Sequence, residues 1–539
     1  MRIMPFPEIF ASLLASRGIA PEGKEAFLNP SYESLHDPLL LPDMERARNR
    51  VIEAVRSSER IAVFGDYDGD GIPATALMAD FFRRAGHKNI EFYIPHRHDE
   101  GFGLNTDAMK ELAERGATLL ITLDCGTADI GEVRLAKGLG MDVIITDHHE
   151  PKEELPEAYA IVNPKLKGSA YPFDSLCGCG VAFKLVQAVL AKERFGIPLG
   201  QEKWLLDLVG IATLSDMVPL VGENRILARF GLEVLRKTRR PGLLALLRNL
   251  NINPSYLTED DITFMITPRI NAASRMGEPE DAFKLLSTDK GIEAERLAAH
   301  LEKINQERKG LVGSLVKAAK HELGKREAIR DVIVIGNPEW RPGLLGLVCA
   351  NLVDEYQRPA FVWGRDGDGV LKGSCRSYNG YDLFALMSAV PRSFIEFGGH
   401  KGAGGFSITL EEVGVLEEKL SAALGTLTSP NPLLGKERVL PISLNEVGED
   451  LWKTVAQFAP FGTGNEKPVF KISNAPFGKE ENHLEIMLGN GIKAISFFSS
   501  PESYKLKTDS PSCTLHAHLE KSYFRNRPEV RLRIVDIEA

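Results

Sequence analysis

The sequence predicts an α/β protein made of two α/β lobes joined by a long helix and followed by a small β domain. Apolar strand-like runs alternate with helical patterns between residues 61 and 164, which is typical of a doubly wound parallel sheet. A second, smaller α/β unit begins near residue 331. Five short alternating runs then follow between residues 438 and 539, which favours a barrel of the OB type.

The N-terminal segment, residues 1–50, is predicted to be partly helical. Ile9 and Leu13 lie four residues apart, as do Phe10 and Leu14, so each pair shares one face of a helix. Gly18 is predicted to end this helix.

The first lobe, residues 51–278, has the clearest alternation of strands and helices. Strands are predicted at 61–66, 90–94, 119–124, 143–147 and 158–162, with helices at 74–85, 106–115 and 129–138. Residues 180–250 are mainly helical in pattern, and the predicted helix at 204–216 ends in an acidic residue, Asp216.

The second half of the chain divides into three parts. Residues 279–325 are charged and amphipathic with no proline after Pro279, which predicts one long exposed helix between the lobes. The second lobe is assigned to 326–428, and its end is rich in turn formers. The β domain is assigned to 436–539, with strands at 468–472, 483–487, 494–498, 513–518 and 530–535.

Composition limits the classes of protein that remain. No run approaches the roughly 18 apolar residues of a membrane helix, and the first residues lack a signal-peptide pattern, so we expect a cytoplasmic protein without a membrane partner. The net charge of −9 argues against bulk non-specific affinity for nucleic acid. Six cysteines are few, and Cys177 and Cys179 are interpreted as packing residues because zinc sites need wider spacing.

Three of the predicted strands run out into an acidic residue. These residues are Asp66, Asp124 and Asp147, and the carboxyl ends of parallel strands line one crevice. An aspartate after a strand is often only a helix cap. Three at equivalent strand ends, one of them followed by two histidines, favour a metal site instead.

Further candidate ligands flank these acids. Asp68 and Asp70 follow Asp66 at two-residue spacing, which puts all three on one face of an extended chain, and His148 and His149 follow Asp147. Oxygen-rich sites with one or two imidazoles suit Mn²⁺ or Mg²⁺. Such metal sites can cleave phosphoesters.

These motifs resemble a known family. The segments 63–72, 123–127, 147–149 and 215–220 resemble, in order, the motifs of the DHH phosphoesterase superfamily, and among its members the bacterial single-strand-specific exonucleases. Segments 27–30, 100–105, 268–273 and 460–465 match as well, and 398–405 resembles the signature of the companion DHHA1 domain. Gly69, Ser274, Arg341 and Gly404 depart from the family pattern, but none is a candidate ligand.

The resemblance implies a two-metal site that uses Mn²⁺ or Mg²⁺. Asp68 and Asp124 would bind one ion, while Asp70, Asp124, His148 and Asp216 would bind the second, with Asp124 bridging. Asp66 would either bind a metal ion directly or contact the side chains that do. It is counted among the candidate catalytic residues. His149 would face the scissile phosphate, and His400 would close over it from the second lobe.

The resemblance also implies how DNA is held. Ser374 and Arg376 would grip a 5′ phosphate with Arg97 as a candidate partner, and Arg269, Asn271 and Arg275 would line the path of the strand. A mixture of basic and aromatic residues in the β domain would bind single strand, against the competing view of a solvated strand edge. That mixture comprises Lys521, Tyr523, Phe524, Arg525, Arg527, Arg531 and Arg533.

The implied function is a 5′→3′ exonuclease on single-stranded DNA that releases 5′ mononucleotides in DNA repair and recombination. The family implies a RecQ-type helicase and a single-strand-binding protein as partners. One alternative is a phosphodiesterase for short oligonucleotides or cyclic dinucleotides, against which residues 438–539 argue. Another is a catalytically dead replication scaffold, against which the intact acids and His148 argue.

Overall fold

The computed structural model describes residues 6–366, 370–399, 401–427, 439–476, 484–488, 491–496, 512–523 and 528–538. These residues form three sheets, each with its own order of strands. In the ranges just given, we find no helix with the length and apolar character needed to cross a membrane.

The first sheet is parallel throughout and has the strand order β2-β1-β3-β4-β5. All five of its predicted strands and the three helices between them are confirmed. β1 and β3 are buried along their whole length, as expected for strands covered on both faces. The elements are α1 (Phe6–Ser16), α2 (Lys24–Leu28), α3 (Met44–Arg56), β1 (Ile61–Gly65), α4 (Gly71–Arg84), β2 (Ile90–Tyr93), α5 (Thr106–Glu114), β3 (Leu119–Leu123), α6 (Ile130–Gly138), β4 (Asp142–Thr146) and β5 (Ala160–Val162).

A helical layer follows this sheet, as predicted for residues 180–250. It packs into the same apolar core as β1 and β3. Its helices are α7 (Gly178–Lys192), α8 (Leu206–Ser215), α9 (Gly222–Leu235), α10 (Pro241–Asn249), α11 (Thr267–Met276) and α12 (Pro279–Ser287).

The prediction of one exposed helix over 279–325 is wrong in two respects. The chain is extended at Thr288, whose side chain donates to Glu293, so the connecting helix α13 begins only at Gly291 and ends at Gly324. It is also anchored at both ends. Apolar residues near its start, such as Leu297, lie in the first core, while Leu323 lies in a core of the second lobe.

The second lobe contains a mixed sheet with the order β6-β7-β8-β10-β9. β6 and β7 are parallel, and the remaining pairs are antiparallel. Its elements are β6 (Ile333–Gly336), α14 (Pro342–Tyr356), β7 (Ala360–Arg365), β8 (Leu371–Arg376), α15 (Leu383–Ser388), β9 (Glu396–Gly399), β10 (Ala403–Ile408) and α16 (Leu410–Thr426). His400 lies outside the described residues.

The C-terminal sheet joins six strands in the order β11-β12-β15-β16-β14-β13. The five predicted strands are confirmed where they are described; residues 483, 497 and 498 lie outside that part. Ile9, Leu13 and Leu28 of the N-terminal segment pack into this core. The elements are β11 (Leu440–Pro441), α17 (Glu449–Ala456), β12 (Phe470–Pro476), β13 (Leu484–Met487), β14 (Lys493–Ser496), β15 (Ser512–Ser522) and β16 (Glu529–Glu538).

Candidate active site

The register of the parallel sheet positions three of the candidate acids. Asp66, Asp124 and Asp147 each come directly after a strand, and β1, β3 and β4 are neighbours. Each acid extends the ladder by one hydrogen bond, from its N–H to the carbonyl of Leu123, Thr146 or Val162 at 2.9–3.2 Å. The three backbones are therefore fixed relative to one another at one edge of the sheet.

Among the described residues, six side chains at this edge fall into two groups of three, and Asp124 and His148 also form a group with His149. Asp66, Asp68 and Asp124 form one group, and in each group the possible ligand atoms lie within 4.8 Å of one another. Asp70, His148 and Asp216 form the other. The groups adjoin, since His148 Nε2 lies 3.1 Å from Asp124 Oδ1 and 3.7 Å from Asp216 Oδ2. The structure thus brings together all five predicted ligands and Asp66.

The start of α7 holds Asp70 in place. The two carboxylate oxygens of Asp70 accept hydrogen bonds from the N–H groups of Gly178 and Cys179, at 2.6 and 2.7 Å. The partial positive charge of a helix N-terminus favours a carboxylate there. A Cβ at position 178 would lie 2.5 Å from Asp124 Cβ, so only glycine allows this approach. Sequence reasoning attended to the cysteines of this segment and missed its glycine.

Among the described residues, two buried carboxylate oxygens at this edge have no hydrogen-bond partner. They are Oδ1 of Asp66 and Oδ1 of Asp124, on side chains that are almost fully buried. Asp124 Oδ1 lies 3.1 Å from His148 Nε2 without the geometry of a hydrogen bond. Asp124 also has a left-handed backbone with φ of 62°. Buried polar atoms without partners and strained backbones both cluster at functional sites. Cations between the two groups would satisfy these oxygens.

The raised pKa values of the clustered carboxyl groups also indicate a site for positive charge. Burial, together with the charge of Asp68, raises the pKa of Asp70 to about 7. Burial and the charge of Asp70 raise the pKa of Asp216 to about 9, and the pKa of Asp124 also lies well above its usual range. A divalent cation reverses this balance because it favours the charged carboxylates. The donor set therefore fits Mn²⁺ or Mg²⁺.

The two adjacent histidines are in different electrostatic states. Burial and the neighbouring His149 lower the pKa of His148 to about 3, so its ring is neutral and suited to metal binding. Burial also opposes charge on His149. A 2.8 Å hydrogen bond from His149 Nδ1 to Asp147 and the charge of Asp147 nevertheless raise the pKa of His149 to about 9. In the absence of metal, the charged form of His149 is therefore favoured at neutral pH.

A cluster of four arginines lies between the lobes. Burial and the charges of Arg97, Arg308 and Arg376 lower the pKa of Arg275 to about 9. Arg275 donates to the carbonyl of Gly343 at 2.7 Å. Within the described ranges, none of the four forms a salt bridge. Guanidinium groups gathered without a salt-bridge partner can bind an anion with several oxygens, such as a phosphate. Arg308 was missed because α13 was interpreted as a linker.

The structure gives different surroundings to the remaining candidates for substrate binding. Arg269 is 4% exposed and pairs with Glu302 at 2.8 Å, so its guanidinium already has an internal partner. Asn271 has a buried Oδ1 for which the described part of the chain supplies no hydrogen-bond partner. Ser374 lies on β8 two residues before Arg376, and its carbonyl accepts from Cys349. Contacts of these residues with DNA stay predictions.

Most of the described basic and aromatic residues at the C-terminal sheet already have partners within the chain. Lys521 pairs with Glu449, and Arg531 pairs with Glu520. The ring of Tyr523 stacks on Tyr256 at 4.2 Å, and Arg533 lies 3.8 Å from Asp260. These contacts favour the competing view of a strand edge, and DNA binding there stays a prediction. Phe524, Arg525 and Arg527 lie outside the described residues.

Three family models match the chain in order. The DHH family N-terminal domain matches residues 60–213, the DHHA1 domain 330–427 and the RecJ OB domain 440–536. The single-stranded-DNA-specific exonuclease RecJ of Haemophilus influenzae is 32% identical, over 95% of this chain and 93% of that protein. This chain belongs to the RecJ family. The RecJ of Bacillus subtilis is 37% identical over 89% of this chain, which spans 61% of the length of that relative.

A solved RecJ structure has the same fold. The crystal structure of RecJ in complex with Mn²⁺ from Thermus thermophilus aligns with all of this chain and 79% of that chain. The TM-score is 0.81 and the sequence identity is 26%. The predicted architecture of a RecJ, with a parallel-sheet DHH domain, a DHHA1 domain and a C-terminal OB domain, is therefore confirmed.

Proposed function

We propose that this chain is a metal-dependent exonuclease that degrades single-stranded DNA in the 5′→3′ direction and releases 5′ mononucleotides. The observation that carries the proposal is the cluster of five aspartates and His148, in which two buried carboxylate oxygens have no hydrogen-bond partner among the described residues. It occurs in a chain whose relatives are single-stranded-DNA-specific exonucleases.

We propose that the cluster holds two ions, Mn²⁺ or Mg²⁺. Asp66, Asp68 and Asp124 would hold one, and Asp70, His148 and Asp216 the other, with Asp124 between them because its Oδ1 is close to His148. When bound, two such ions supply an activated water and neutralise the oxygens of the scissile phosphate.

Side chains beside the proposed metal ligands would also contact the scissile phosphate. His149, charged through its hydrogen bond to Asp147, offers a cationic donor beside the metal ligands. It is held in this orientation by the same carboxylate, whose other oxygen accepts from the N–H of Thr127. His400 of the DHHA1 domain is the proposed second histidine at the phosphate.

The arginine cluster would set the direction of digestion. Arg97, Arg275, Arg308 and Arg376 would bind a terminal 5′ phosphate, with Ser374 near Arg376 on the same strand. Arg97 is close enough to the metal site to lower the pKa of Asp66, against the stronger effect of burial. A phosphate bound there would bring the first nucleotide of the strand near the residues proposed to hold the metals.

Replacing Arg376 tests this end-recognition site. We expect Arg376→Ala to lower the preference for 5′-phosphorylated over 5′-hydroxyl strands by about tenfold or more, because a charge-assisted contact is lost. The measurement is the ratio of kcat/KM for the two substrates. Arg341→Ala, an exposed residue at the start of α14, is the matched control. A ratio that Arg376→Ala leaves unchanged would exclude the site.

Digestion of end-labelled DNA tests the function itself. Single strands labelled at the 5′ end should release labelled mononucleotide at once with Mn²⁺ or Mg²⁺ and remain intact with a chelator. Duplex DNA and cyclic dinucleotides should be resistant. Asp70→Ala and His148→Ala should abolish digestion and weaken metal binding; full activity with normal metal binding in either variant would contradict the ligand assignment.

We further propose a role in DNA repair and recombination in the cytoplasm. The support is the family alone, as it is for a RecQ-type helicase and a single-strand-binding protein as partners. A helicase would supply the single strands that this enzyme needs, and binding assays with purified partners would test this.

A further inference from the structure

Two consecutive buried residues at the start of α9 connect the metal cluster to the C-terminal domain. Asn224 donates through Nδ2 to the carbonyls of Ser175 and Pro219, at 2.5 and 3.1 Å. Ser175 lies three residues before Gly178, which binds Asp70, and Pro219 lies three residues after Asp216. Asn224 thus joins the segment that donates to Asp70 with the segment that follows Asp216.

Arg225, the next residue, is hydrogen-bonded to the C-terminal domain. Its guanidinium donates to the carbonyls of Phe458 and Ala459 at 2.9 and 3.1 Å, and to Phe27 of the N-terminal segment at 2.8 Å. The receiving loop, residues 458–465, lies between α17 and β12. Asn465 closes this loop by donating to the carbonyls of Phe458 and Pro460.

The same loop lies directly on the segment that follows Asp216. The N–H of Leu220 donates to the carbonyl of Thr463 at 2.7 Å. A Cβ at Gly462 would lie 2.8 Å from Leu220 Cδ1, and one at Gly464 would lie 3.4 Å from Pro219. Leu220 is 1% exposed, whereas Met217 next to Asp216 is 65% exposed. The loop therefore covers one end of a segment whose other end carries a proposed ligand.

We propose that loop 458–465 of the C-terminal domain is a positioning element for Asp216, and that Gly462 and Arg225 are positioning residues for metal binding. The loop holds the segment 217–220 so that Asp216 stays next to His148 and Asp70. The C-terminal domain then stabilises the metal site in addition to any binding of DNA. This inference rests on the proposed function, since it takes Asp216 as a metal ligand.

A methyl group added at Gly462 tests the contact. Gly462→Ala should push Leu220 away and weaken the binding of one of two Mn²⁺ ions by about tenfold or more, the usual size for residues that orient ligands. The variant Gly462→Ala with Leu220→Val should recover much of this affinity, because the shorter side chain restores space. Lys471→Ala, which breaks an exposed ion pair in the same domain, is the control and should bind Mn²⁺ normally.

Kinetics separate positioning from DNA binding. For Gly462→Ala we expect kcat to fall at low Mn²⁺ and to recover as Mn²⁺ is raised, with the KM for DNA at saturating Mn²⁺ unchanged. A raised KM with normal Mn²⁺ affinity would overturn the proposal and assign the loop to DNA binding.

Hydrogen exchange on the unmodified protein gives a test that does not depend on folded variants. Coupling is reciprocal, so Mn²⁺ should slow amide exchange in peptides that cover 458–466. Unchanged exchange there, while Mn²⁺ binds, would overturn the inference and leave the proposed function intact. Absence of Mn²⁺ binding to the unmodified protein would overturn both.

Discussion

At the scale of single residues, the metal cluster is held in a state that is unfavourable without cations. Asp124 combines a left-handed backbone, nearly complete burial and an oxygen to which no described residue donates a hydrogen bond. Asp70 and Asp216 have pKa values of about 7 and 9, against an ordinary value of 3.8, chiefly because they are buried. Such buried carboxyl groups cost stability, and strain of this kind is common at functional sites.

These raised pKa values predict how the metal-free protein responds to pH. The folded chain holds protons on these carboxyls that the unfolded chain releases, so folding is favoured at low pH and loses this contribution as pH rises from about 4 to about 9. Asp124→Asn should reduce this loss, since asparagine is neutral and tolerates the left-handed backbone.

Thermal unfolding with a chelator and with Mn²⁺, at pH 6 and pH 9, measures this prediction. The unmodified protein should unfold at a lower temperature at pH 9 than at pH 6 when metal-free, and Mn²⁺ should raise that temperature. Asp124→Asn should show a smaller pH effect and a smaller rise with Mn²⁺. Asp331→Asn, which changes an exposed aspartate, should behave like the parent. Unfolding temperatures of Asp124→Asn identical to those of the parent would contradict the role given to Asp124.

At the scale of elements, α11 and α13 are joined by a mostly buried ion pair. Arg269 of α11 is 4% exposed, and Glu302 of α13 is 27% exposed. The pair lies where the connecting helix leaves the first lobe, in a helix that the sequence predicted to be exposed. The charged pattern of this helix conceals its apolar contacts with α10 and α11, because those contacts occupy one narrow face.

Removing Glu302 should therefore be costly. Glu302→Ala leaves Arg269 buried without its partner, and we expect the free energy of unfolding of the first lobe to fall by about 2–3 kcal/mol. Denaturant unfolding followed in that lobe measures the change. Glu295→Ala on the same helix breaks an exposed pair with Arg248 and should cost less than about 1 kcal/mol. Equal effects of the two substitutions would contradict a structural role for Arg269.

At the scale of the whole molecule, the two ends of the chain share one core. Ile9 and Leu13 of α1 pack with strands of the C-terminal sheet, and Arg17 donates to Asn465 at 2.5 Å. The first segment of the chain thus belongs, by its contacts, with the last domain rather than with the lobe that follows it in sequence.

The shared core predicts which domain becomes more susceptible to proteolysis when α1 is disrupted. Leu13→Asp buries a charge in the shared core, so proteolysis should become faster in the C-terminal domain, residues 440–538, before it does in the first lobe. Mapping the first cleavage sites by mass spectrometry measures this. Ala11→Asp on the exposed face of α1 is the control, and early cleavage in the first lobe instead would contradict the prediction.

The sequence alone determined the strands and helices of the first sheet of this RecJ-family chain and the acids at its strand ends. Those features depend on local periodicity and on one rule of parallel sheets, that their carboxyl ends share an edge. Asp66, Asp124 and Asp147 could therefore be predicted to lie together, and the family motifs added Asp216.

The tertiary structure alone decided which distant residues complete and support the site. Gly178 at Asp70, Arg308 beside Arg275, and loop 458–465 on the Asp216 segment involve partners from 33 to more than 200 residues apart in the chain. No local pattern marks such pairs, because they are selected by packing between separate elements. The acids at the strand ends can be recognised in the sequence, whereas the residues that hold them together become neighbours only in the folded chain.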